Sequence, residues 1–191
     1  LSGCTSIFAM IGYEGYAAKN YFAGLAKCVE EEFSFSGRSK QPPKDPFNSM
    51  LSFGYSVLLD EIHSVIEQHG MNAYFGFMHK DGEKHPTLAS DLIEEWRAVL
   101  IDSLTMSLVN GHEIHTEHFT FDEKSGGYYF TREGLKIYMN KLENKLSTPT
   151  KYLTYVDYPV SFRDAISMQV VSLAKAIEAE DVSLYNPVTI R

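Results

Sequence analysis

A proline-rich segment at residues 34–46 separates two stretches of helix-like sequence. Residues 13–33, before it, contain no proline, and their apolar side chains recur at helical spacing, at Ala18, Phe22, Leu25 and Val29. The segment itself holds three prolines and cannot continue a helix, so we expect a surface loop. Asp45 and Pro46 then provide an N-cap and a first-turn proline for a second helix over residues 47–66. This order of helix, proline-rich loop and second capped helix predicts a mainly helical protein.

The remaining sequence continues with helices joined by short segments. Gly70 is expected to end the second helix, and the aromatic residues 73–78 to form a short extended segment. Residues 114–130 alternate polar and apolar side chains around Gly126 and Gly127, which predicts a small β-hairpin. Further helices are expected over residues 87–110, 131–146 and 161–180, the last two capped by Thr131 and Ser161. The expected fold class is therefore mainly α, a multi-helix lobe with a small β-hairpin.

Length and composition narrow the class of protein. With 191 residues and 44% hydrophobic content, the chain can bury one sizeable core, and a single domain is expected. Cys4 and Cys28 have no metal-binding spacing, which excludes a zinc knuckle and favours reduced thiols. No apolar run approaches the roughly 20 residues that span a bilayer, so a cytoplasmic location without membrane contact is expected.

The formal net charge of −8 argues against uniform affinity for nucleic acid, because phosphate binding needs locally concentrated Lys and Arg. Carboxylates that hold divalent cations would themselves contribute to this negative charge. Basic residues lie in two loops, at Arg38, Lys40, Lys44, Lys80 and Lys84. They could supply phosphate contacts, and the alternative is that they are solvated loop charges.

Glu14 lies on the apolar stripe of the first predicted helix, one turn before Ala18. Its carboxylate is therefore expected to face packed surface, where an unpaired charge costs several kcal/mol in rough terms. A cation or a hydrogen-bond donor must then face it. The alternative is an N-terminal Glu satisfied by backbone amides of the helix.

His79 follows the aromatic segment, and Asp91 and Glu94 lie three residues apart on one face of the third predicted helix. A neutral imidazole can ligate a metal through one nitrogen while the other donates to a neighbour, and the alternative for His79 is a surface or hydrogen-bonded structural histidine. The repulsion between the two carboxylates would be relieved by a divalent cation, by Arg97, or by full solvation. Glu95 faces away from this pair, so a local role is expected for it.

A competing metal-like pattern is formed by His112, His115 and His118, with glutamates interleaved. On the strand predicted for this region, a spacing of three sends successive imidazoles to opposite faces. The cluster is therefore expected to be mostly solvated.

In combination, these motifs resemble one family. In chain order they are GYEGYAA at residues 12–18 with YF at 21–22, GR at 37–38, PPKDPFNSMLSFGY at 42–55, GFMH at 76–79, and LASDLIEEWR at 88–97. Their order and separations resemble those of the CRISPR-associated spacer-acquisition integrases, in the branch that accompanies type I systems. SFRD at 161–164 and YNP at 185–187 match more loosely.

The resemblance implies a metal-dependent DNA endonuclease and integrase that inserts spacer DNA into a CRISPR array by attack of a 3′-hydroxyl. It implies that residues 1–191 are the helical catalytic domain of a longer protein whose N-terminal β domain is absent. The implied ligands of Mg²⁺ or Mn²⁺ are Glu14, His79 and Glu94, and Asp91 matches an acidic position beside the metal.

The implied partners are double-stranded and branched DNA, a second copy in the full-length protein, and a small ferredoxin-like CRISPR-associated protein. The alternative hypothesis is a non-catalytic helical module for protein interaction, whose stripe residues serve packing. Metal-dependent DNA chemistry is what separates the two hypotheses.

Overall fold

The computed structural model describes residues 6–79 and 85–190. Its helices are α1 Ile7–Leu25, α2 Pro46–Gln68, α3 Thr87–Ile93, α4 Ser103–Asn110, α5 Arg132–Ser147 and α6 Phe162–Glu178. Two short strands, β1 Phe119–Asp122 and β2 Gly127–Phe130, pair in antiparallel register. The predicted fold class, mainly α with a small hairpin, is confirmed. Among the described helices, none combines the length and apolarity needed to cross a membrane.

The chain divides into two compact units. The first unit comprises Leu1–Gly54 and Thr105–Met139, and the second comprises Tyr55–Leu104 and Asn140–Arg191. Each unit has its own set of buried apolar side chains. The expectation of one catalytic domain over residues 1–191 stays a prediction.

Helix α1 differs from its prediction in extent and in burial. It begins at Ile7, where the Ser6 hydroxyl accepts the N–H of Ala9, and it ends at Leu25 rather than continuing to residue 33. Two 3₁₀ turns follow, Ala26–Cys28 and Glu31–Phe33. No residue of α1 is buried, and Glu14 is exposed, so the expected burial of its carboxylate was wrong. Helical periodicity identifies which residues share a face, but it does not say what covers that face.

The start and end of α2 confirm the sequence signals. The Asp45 carboxylate accepts the N–H of Asn48 at 2.7 Å, as an N-cap does. At the other end the N–H of Gly70 bonds to the carbonyl of Glu67, and Gly70 has a φ of +72°. In the first unit, Phe47 in the first turn of this helix is fully buried and stacks on Phe35 at 4.4 Å between ring centroids.

The proline-rich loop packs on the β-hairpin of the first unit. The N–H of Tyr128 bonds to the carbonyl of Pro43 at 2.9 Å. A β-carbon at Gly127 would lie 2.7 Å from the Cβ of Pro42, so only glycine allows this approach. The loop is thus tied to the rest of its unit by backbone contacts.

The third predicted helix is divided into three pieces in the structure. Helix α3 ends at Ile93, residues 94–96 form a turn, a π-helical turn spans Arg97–Asp102, and α4 follows. The prediction of one continuous helix over residues 87–110 was therefore wrong. Trp96, at the break, is fully buried and donates its indole N–H to Gln169 at 2.8 Å. Sequence periodicity does not reveal such a local change from α-helical to π-helical geometry.

In the second unit, α6 begins as predicted: the Ser161 hydroxyl accepts the N–H of Asp164 at 3.0 Å. Arg163 then donates to Glu61 on α2 at 2.6 Å and to both carboxylate oxygens of Glu143 on α5. Because an Arg fork pairs both oxygens of a carboxylate in a fixed geometry, this residue braces three helices.

Candidate functional site

Two side chains of α3 hold the aromatic segment at residues 74–79 in place. The Thr87 hydroxyl accepts the N–H of Gly76 at 2.9 Å and donates to the carbonyl of Tyr74 at 2.7 Å. One turn later, the Asp91 carboxylate accepts three successive backbone N–H groups, those of Phe77, Met78 and His79, at 2.5, 3.0 and 3.1 Å. Thr87 and Asp91 are four residues apart and so share one helical face. The segment is therefore fixed to α3 by hydrogen bonds along its length.

Asp91 also fixes the His79 ring. The distance between His79 Nδ1 and Asp91 Oδ1 is 2.6 Å, with the Asp91 side chain 8% exposed and the His79 side chain 40% exposed. Since the carboxylate faces Nδ1, that nitrogen carries the hydrogen, and Nε2 is left as the nitrogen able to bind a cation. The neighbour to which one imidazole nitrogen donates is Asp91.

The charge of Asp91 is stabilised despite its burial. Burial by itself raises the pKa of this carboxyl, but the hydrogen bonds from the His79 ring and from the backbone N–H groups bring the pKa below its ordinary value. Asp91 is thus ionised at neutral pH, and it orients His79 as a carboxylate.

Glu94 lies immediately after α3, at the C-cap position. Its Oε1 is 2.7 Å from Nη1 of Arg97, and about a third of each side chain is exposed. The guanidinium carbon of Arg97 also lies 5.0 Å from the ring centroid of Tyr55. Of the three possibilities for relieving the carboxylate repulsion, pairing with Arg97 is the one observed for Glu94, while Asp91 is compensated by backbone N–H groups and the His79 ring.

The three predicted metal ligands fall in different units: Glu14 in the first, His79 and Glu94 in the second. Over residues 6–79 and 85–190, no group of three or more His, Cys, Asp or Glu side chains is arranged to hold a metal ion. The donor types nevertheless suit Mg²⁺ or Mn²⁺, since carboxylates and one imidazole are ligands these ions accept. In addition, Asp91 holds the His79 ring through Nδ1, as carboxylates do for metal-binding histidines, and leaves Nε2 as the possible ligand atom. A three-ligand site stays a prediction.

The predicted DNA-contacting residues of the proline-rich loop have structural partners within the first unit. Arg38 donates to Asn48 at 3.0 Å and to Ser52 at 2.9 Å, which braces the loop against α2. Lys44 donates to the carbonyl of Gly126 at 3.1 Å, and Lys40 is exposed. Lys80 and Lys84 lie outside the described residues. Phosphate binding by all five residues stays a prediction.

The histidine cluster does not have its expected backbone. No strand carries it: His112 lies in a turn with a φ of +52°, and His118 ends the 3₁₀ turn Thr116–His118. His118 is buried, and its Nδ1 accepts the N–H of His115 at 2.9 Å. The expectation that these histidines are mostly solvated was therefore wrong for His118. It fails because a ring nitrogen here replaces water as the partner of a backbone amide.

A buried polar cluster in the second unit was missed by sequence analysis. Asp102 is 3% exposed and accepts the hydroxyl hydrogen of Tyr55, while Lys145 donates to the hydroxyl of Ser103. Burial lowers the pKa of Lys145 to about 8, and the charge of Asp102 opposes that shift. The sequence signal that could have revealed this cluster is Asp102 itself. It is the one charged residue in the mostly apolar segment AVLIDSLTMSL at residues 98–108, and charged residues are rarely buried unless they have a partner.

Solved structures share this fold. A casposase bound to an integration product superposes with a TM-score of 0.85 at 25% identity, over 95% of this chain and 51% of that chain. A CAS1 protein from Thermotoga maritima superposes with a TM-score of 0.81 at 28% identity, over 92% of this chain and 53% of that chain. The fold is thus that of the helical domain shared by a casposase and a CAS1 protein.

Sequence comparison identifies the family. The family model described as "CRISPR associated protein Cas1" matches residues 1–144, and the chain belongs to the Cas1 family. The CRISPR-associated endonuclease Cas1 of Mycobacterium tuberculosis is 40% identical over 174 residues, 91% of this chain and 52% of that protein. A Thermus thermophilus Cas1 endonuclease is 33% identical over 183 residues, 96% of this chain and 54% of that protein. The chain thus spans about half the length of the relatives it matches.

Proposed function

We propose that this chain carries catalytic residues of a metal-dependent DNA endonuclease and integrase that inserts spacer DNA into a CRISPR array. Membership of the Cas1 family and the naming of its relatives as endonucleases support the reaction class. The observation that carries the proposal within the structure is the His79–Asp91 pair, in which the carboxylate orients the imidazole and leaves its Nε2 able to bind a cation. The proposed ligands are His79, Glu94 and Glu14, with Asp91 orienting His79.

The proposed reaction transfers a phosphoryl group without a covalent protein intermediate. The oxygen of a DNA 3′-hydroxyl forms a bond to phosphorus, the bond to the leaving oxygen breaks, and a proton passes from the attacking to the leaving oxygen through solvent. A bound Mg²⁺ or Mn²⁺ supplies polarisation of the phosphodiester and stabilises the charge on the leaving oxygen. Water in place of the 3′-hydroxyl gives cleavage instead.

The chain's own residues have distinct roles in this proposal. Asp91 keeps the His79 ring in one tautomer and one orientation, which lowers the cost of ordering a ligand when a cation binds. Arg97 neutralises Glu94 while no cation is present, so the carboxylate is held near its working position. Arg38, Lys40, Lys44, Lys80 and Lys84 are proposed to contact phosphates on both sides of the reacting bond.

The proposed partners follow the relatives. A solved structure titled "Cas6-RT-Cas1--Cas2 complex" matches over 97% of this chain with a TM-score of 0.86. We propose branched and double-stranded DNA as substrate, a second copy of the full-length protein, and a small ferredoxin-like CRISPR-associated protein as partners. The type I branch and a cytoplasmic location stay predictions.

The test is titration of the chain with Mn²⁺, followed by calorimetry or by the loss of the free-ion paramagnetic resonance signal. Glu14→Ala, His79→Ala and Glu94→Ala are each expected to abolish or strongly weaken binding, because each removes one ligand. Glu133→Ala, at an exposed glutamate in the first turn of α5, is the matched carboxylate control. His112→Ala is the imidazole control, and it also tests the competing histidine cluster. Affinity that depends on His112 and not on His79 would overturn the site.

Activity is tested on the longest natural form of the chain, with branched DNA and Mn²⁺. Strand transfer and cleavage are expected for the wild type and not for Glu14→Ala. Equal rates for both proteins would contradict the proposed role of Glu14.

The second candidate function is a non-catalytic interaction module. The exposed aromatic side chains of α1 favour it: Phe8 is 74% exposed and Tyr16 is 70% exposed. This function predicts no Mn²⁺ dependence of any DNA reaction, so the same titration and activity assay distinguish the two candidates.

A further inference from the structure

A chain of contacts leads from Glu94 into the interior of the second unit. Glu94 pairs with Arg97 at 2.7 Å, and the guanidinium of Arg97 lies over the ring of Tyr55 at 5.0 Å. The Tyr55 hydroxyl donates to the carboxylate of Asp102. Tyr55 comes from α2, whereas Arg97 and Asp102 are the first and last residues of one π-helical turn. A single aromatic ring therefore bridges the two ends of that turn.

Asp102 gives Tyr55 a fixed anchor. Its side chain is almost fully buried, and a hydrogen bond to a carboxylate is strong where little water competes. Lys145 lies near enough for the two charges to interact, and its ammonium also donates to the hydroxyl of Ser103, the residue after Asp102. The carboxylate is thus held by its surroundings, so the ring of Tyr55 is held at its hydroxyl end.

The position of the Arg97 guanidinium depends on few contacts. Its Nε–H is buried and makes no hydrogen bond to any part of the chain that the structure describes. Its Nη1 pairs with Glu94, and its face lies on Tyr55. Stacking on an aromatic face is a favourable position for a guanidinium. Without the ring, a side chain that is a third exposed has room to move toward solvent.

We propose that Tyr55 is a positioning residue for Glu94, acting through Arg97. The ring holds the guanidinium, and the guanidinium holds the carboxylate in the orientation from which it binds a divalent cation. The inference rests on the proposed function, because it takes Glu94 as a metal ligand. According to this inference, metal affinity also depends on Tyr55. Tyr55 lies on α2 and acts on Glu94 only through Arg97.

The first readout is nuclear magnetic resonance of the Arg97 guanidinium, which needs neither metal nor DNA. In the wild type, the Tyr55 ring current is expected to shift the Arg97 side-chain protons upfield. Tyr55→Leu removes that shift and increases the mobility of the Arg97 Nε–H. Tyr55→Phe keeps the ring but loses its hydrogen bond to Asp102, so it is expected to keep part of the shift. Tyr158→Leu, at an exposed tyrosine of the same unit, is the matched control and leaves the Arg97 signal unchanged.

The second readout is Mn²⁺ affinity of the same variants, with folding checked by the fluorescence of Trp96, the single tryptophan. Tyr55→Leu is expected to weaken binding about tenfold, as loss of a group supporting a ligand does. Tyr55→Phe should bind more like the wild type than like Tyr55→Leu. If Tyr55→Leu does not fold, Tyr55→Phe compared with Arg97→Ala still decides. Tyr55→Phe as weak as Arg97→Ala would overturn the role assigned to the ring.

The two readouts separate the failure of this inference from failure of the proposed function. If Glu94→Ala abolishes Mn²⁺ binding while Tyr55→Leu binds as the wild type does, Tyr55 does not position Glu94 and the proposed function stands. If the wild type binds no Mn²⁺, the proposed function fails, and the Arg97 signal still shows whether Tyr55 positions the Arg97–Glu94 pair. An Arg97 signal that is unaffected by Tyr55→Leu overturns the inference in either case.

Discussion

Gly76 lies so close to Asp91 that a β-carbon at position 76 would stand 2.7 Å from Oδ2 of that carboxylate. The same β-carbon would lie 2.8 Å from the backbone carbonyl carbon of Thr87. Real β-carbons do not approach other atoms this closely, so glycine is what allows residues 74–79 to lie against α3. The position of His79 therefore depends on a residue without a side chain three positions earlier.

Gly76→Ala is expected to displace the aromatic segment from α3. The overpacking should lower the free energy of unfolding by about 1–3 kcal/mol and weaken Mn²⁺ binding through His79. Urea denaturation and Mn²⁺ titration measure the two effects. The control is Gly24→Ala on α1, where a β-carbon meets nothing within 4 Å. Equal behaviour of the two variants would mean that the close approach at Gly76 has no energetic consequence.

Asp91→Asn is expected to weaken Mn²⁺ affinity about 10–100-fold, because an amide holds the His79 ring less firmly than a carboxylate. The variant keeps the size of the side chain and one acceptor oxygen for the backbone N–H groups. Asp60→Asn, at an exposed position of α2, is the matched control. Titration of both variants checks the prediction, and a wild-type affinity in Asp91→Asn would remove Asp91 from the site.

Asp91 also predicts a loss of stability in acid. Burial raises its pKa, but the hydrogen bonds outweigh burial, and the folded pKa is below the ordinary 3.8. The unfolded chain then binds more protons, so the contribution of Asp91 is complete above 3.8 and is lost as pH falls through the folded pKa. The stability difference between wild type and Asp91→Asn, measured in urea from pH 6 to about 2, should shrink below about pH 4. A difference independent of pH would contradict the lowered pKa.

The buried ammonium of Lys145 is expected to make the stability of the protein depend on pH in alkali. Burial lowers its pKa from 10.5 to about 8, and Asp102 partly opposes this. Between these two values the unfolded chain binds more protons than the folded chain, so the stability of the wild type should rise from pH 8 to about 10.5 relative to Lys145→Met. Thermal unfolding of both proteins across this range measures it. A constant difference would show that the Lys145 ammonium is solvated in the folded chain.

Glu95 is expected to stabilise the C-terminal tail, residues 181–190. Its two carboxylate oxygens accept the Tyr185 hydroxyl and the Val188 N–H, both at 2.6 Å. Glu95→Ala should lower the free energy of unfolding by about 1–3 kcal/mol and make residues 181–190 more sensitive to protease. Glu178→Ala, at an exposed position of α6, is the control. Unchanged proteolysis in Glu95→Ala would show that other contacts hold the tail.

Short-range features of the fold could be predicted from the sequence. The caps at Asp45, Thr131 and Ser161 were correct, since each depends on a side chain reaching a backbone N–H three residues away. The β-hairpin was correct as well, with Gly126 at a φ of +69° in its turn. These interactions involve groups that the sequence itself brings together or leaves with few alternatives. The local role expected for Glu95 was wrong, because its carboxylate bonds Tyr185 and Val188, 90 and 93 residues later in the sequence.

Features that depend on distant residues were not predictable in the same way. The break after α3 falls at Trp96, which is buried and bonds Gln169, 73 residues later in the sequence. The exposure of Glu14 depends on what covers α1, and periodicity along one helix contains no information about its neighbours. The anchoring of Tyr55 by Asp102 likewise joins residues 47 positions apart.

The sequence by itself determined most of the elements of this protein, their caps and the types of residue available for chemistry, because local hydrogen bonding and side-chain periodicity act over a few residues. The tertiary structure determined the partners of those residues. Asp91 became the support of His79 and not a solvated acid, and Arg97 became the bridge between Glu94 and Tyr55. Such pairings arise when folding excludes water and brings polar groups from separate elements within hydrogen-bond distance.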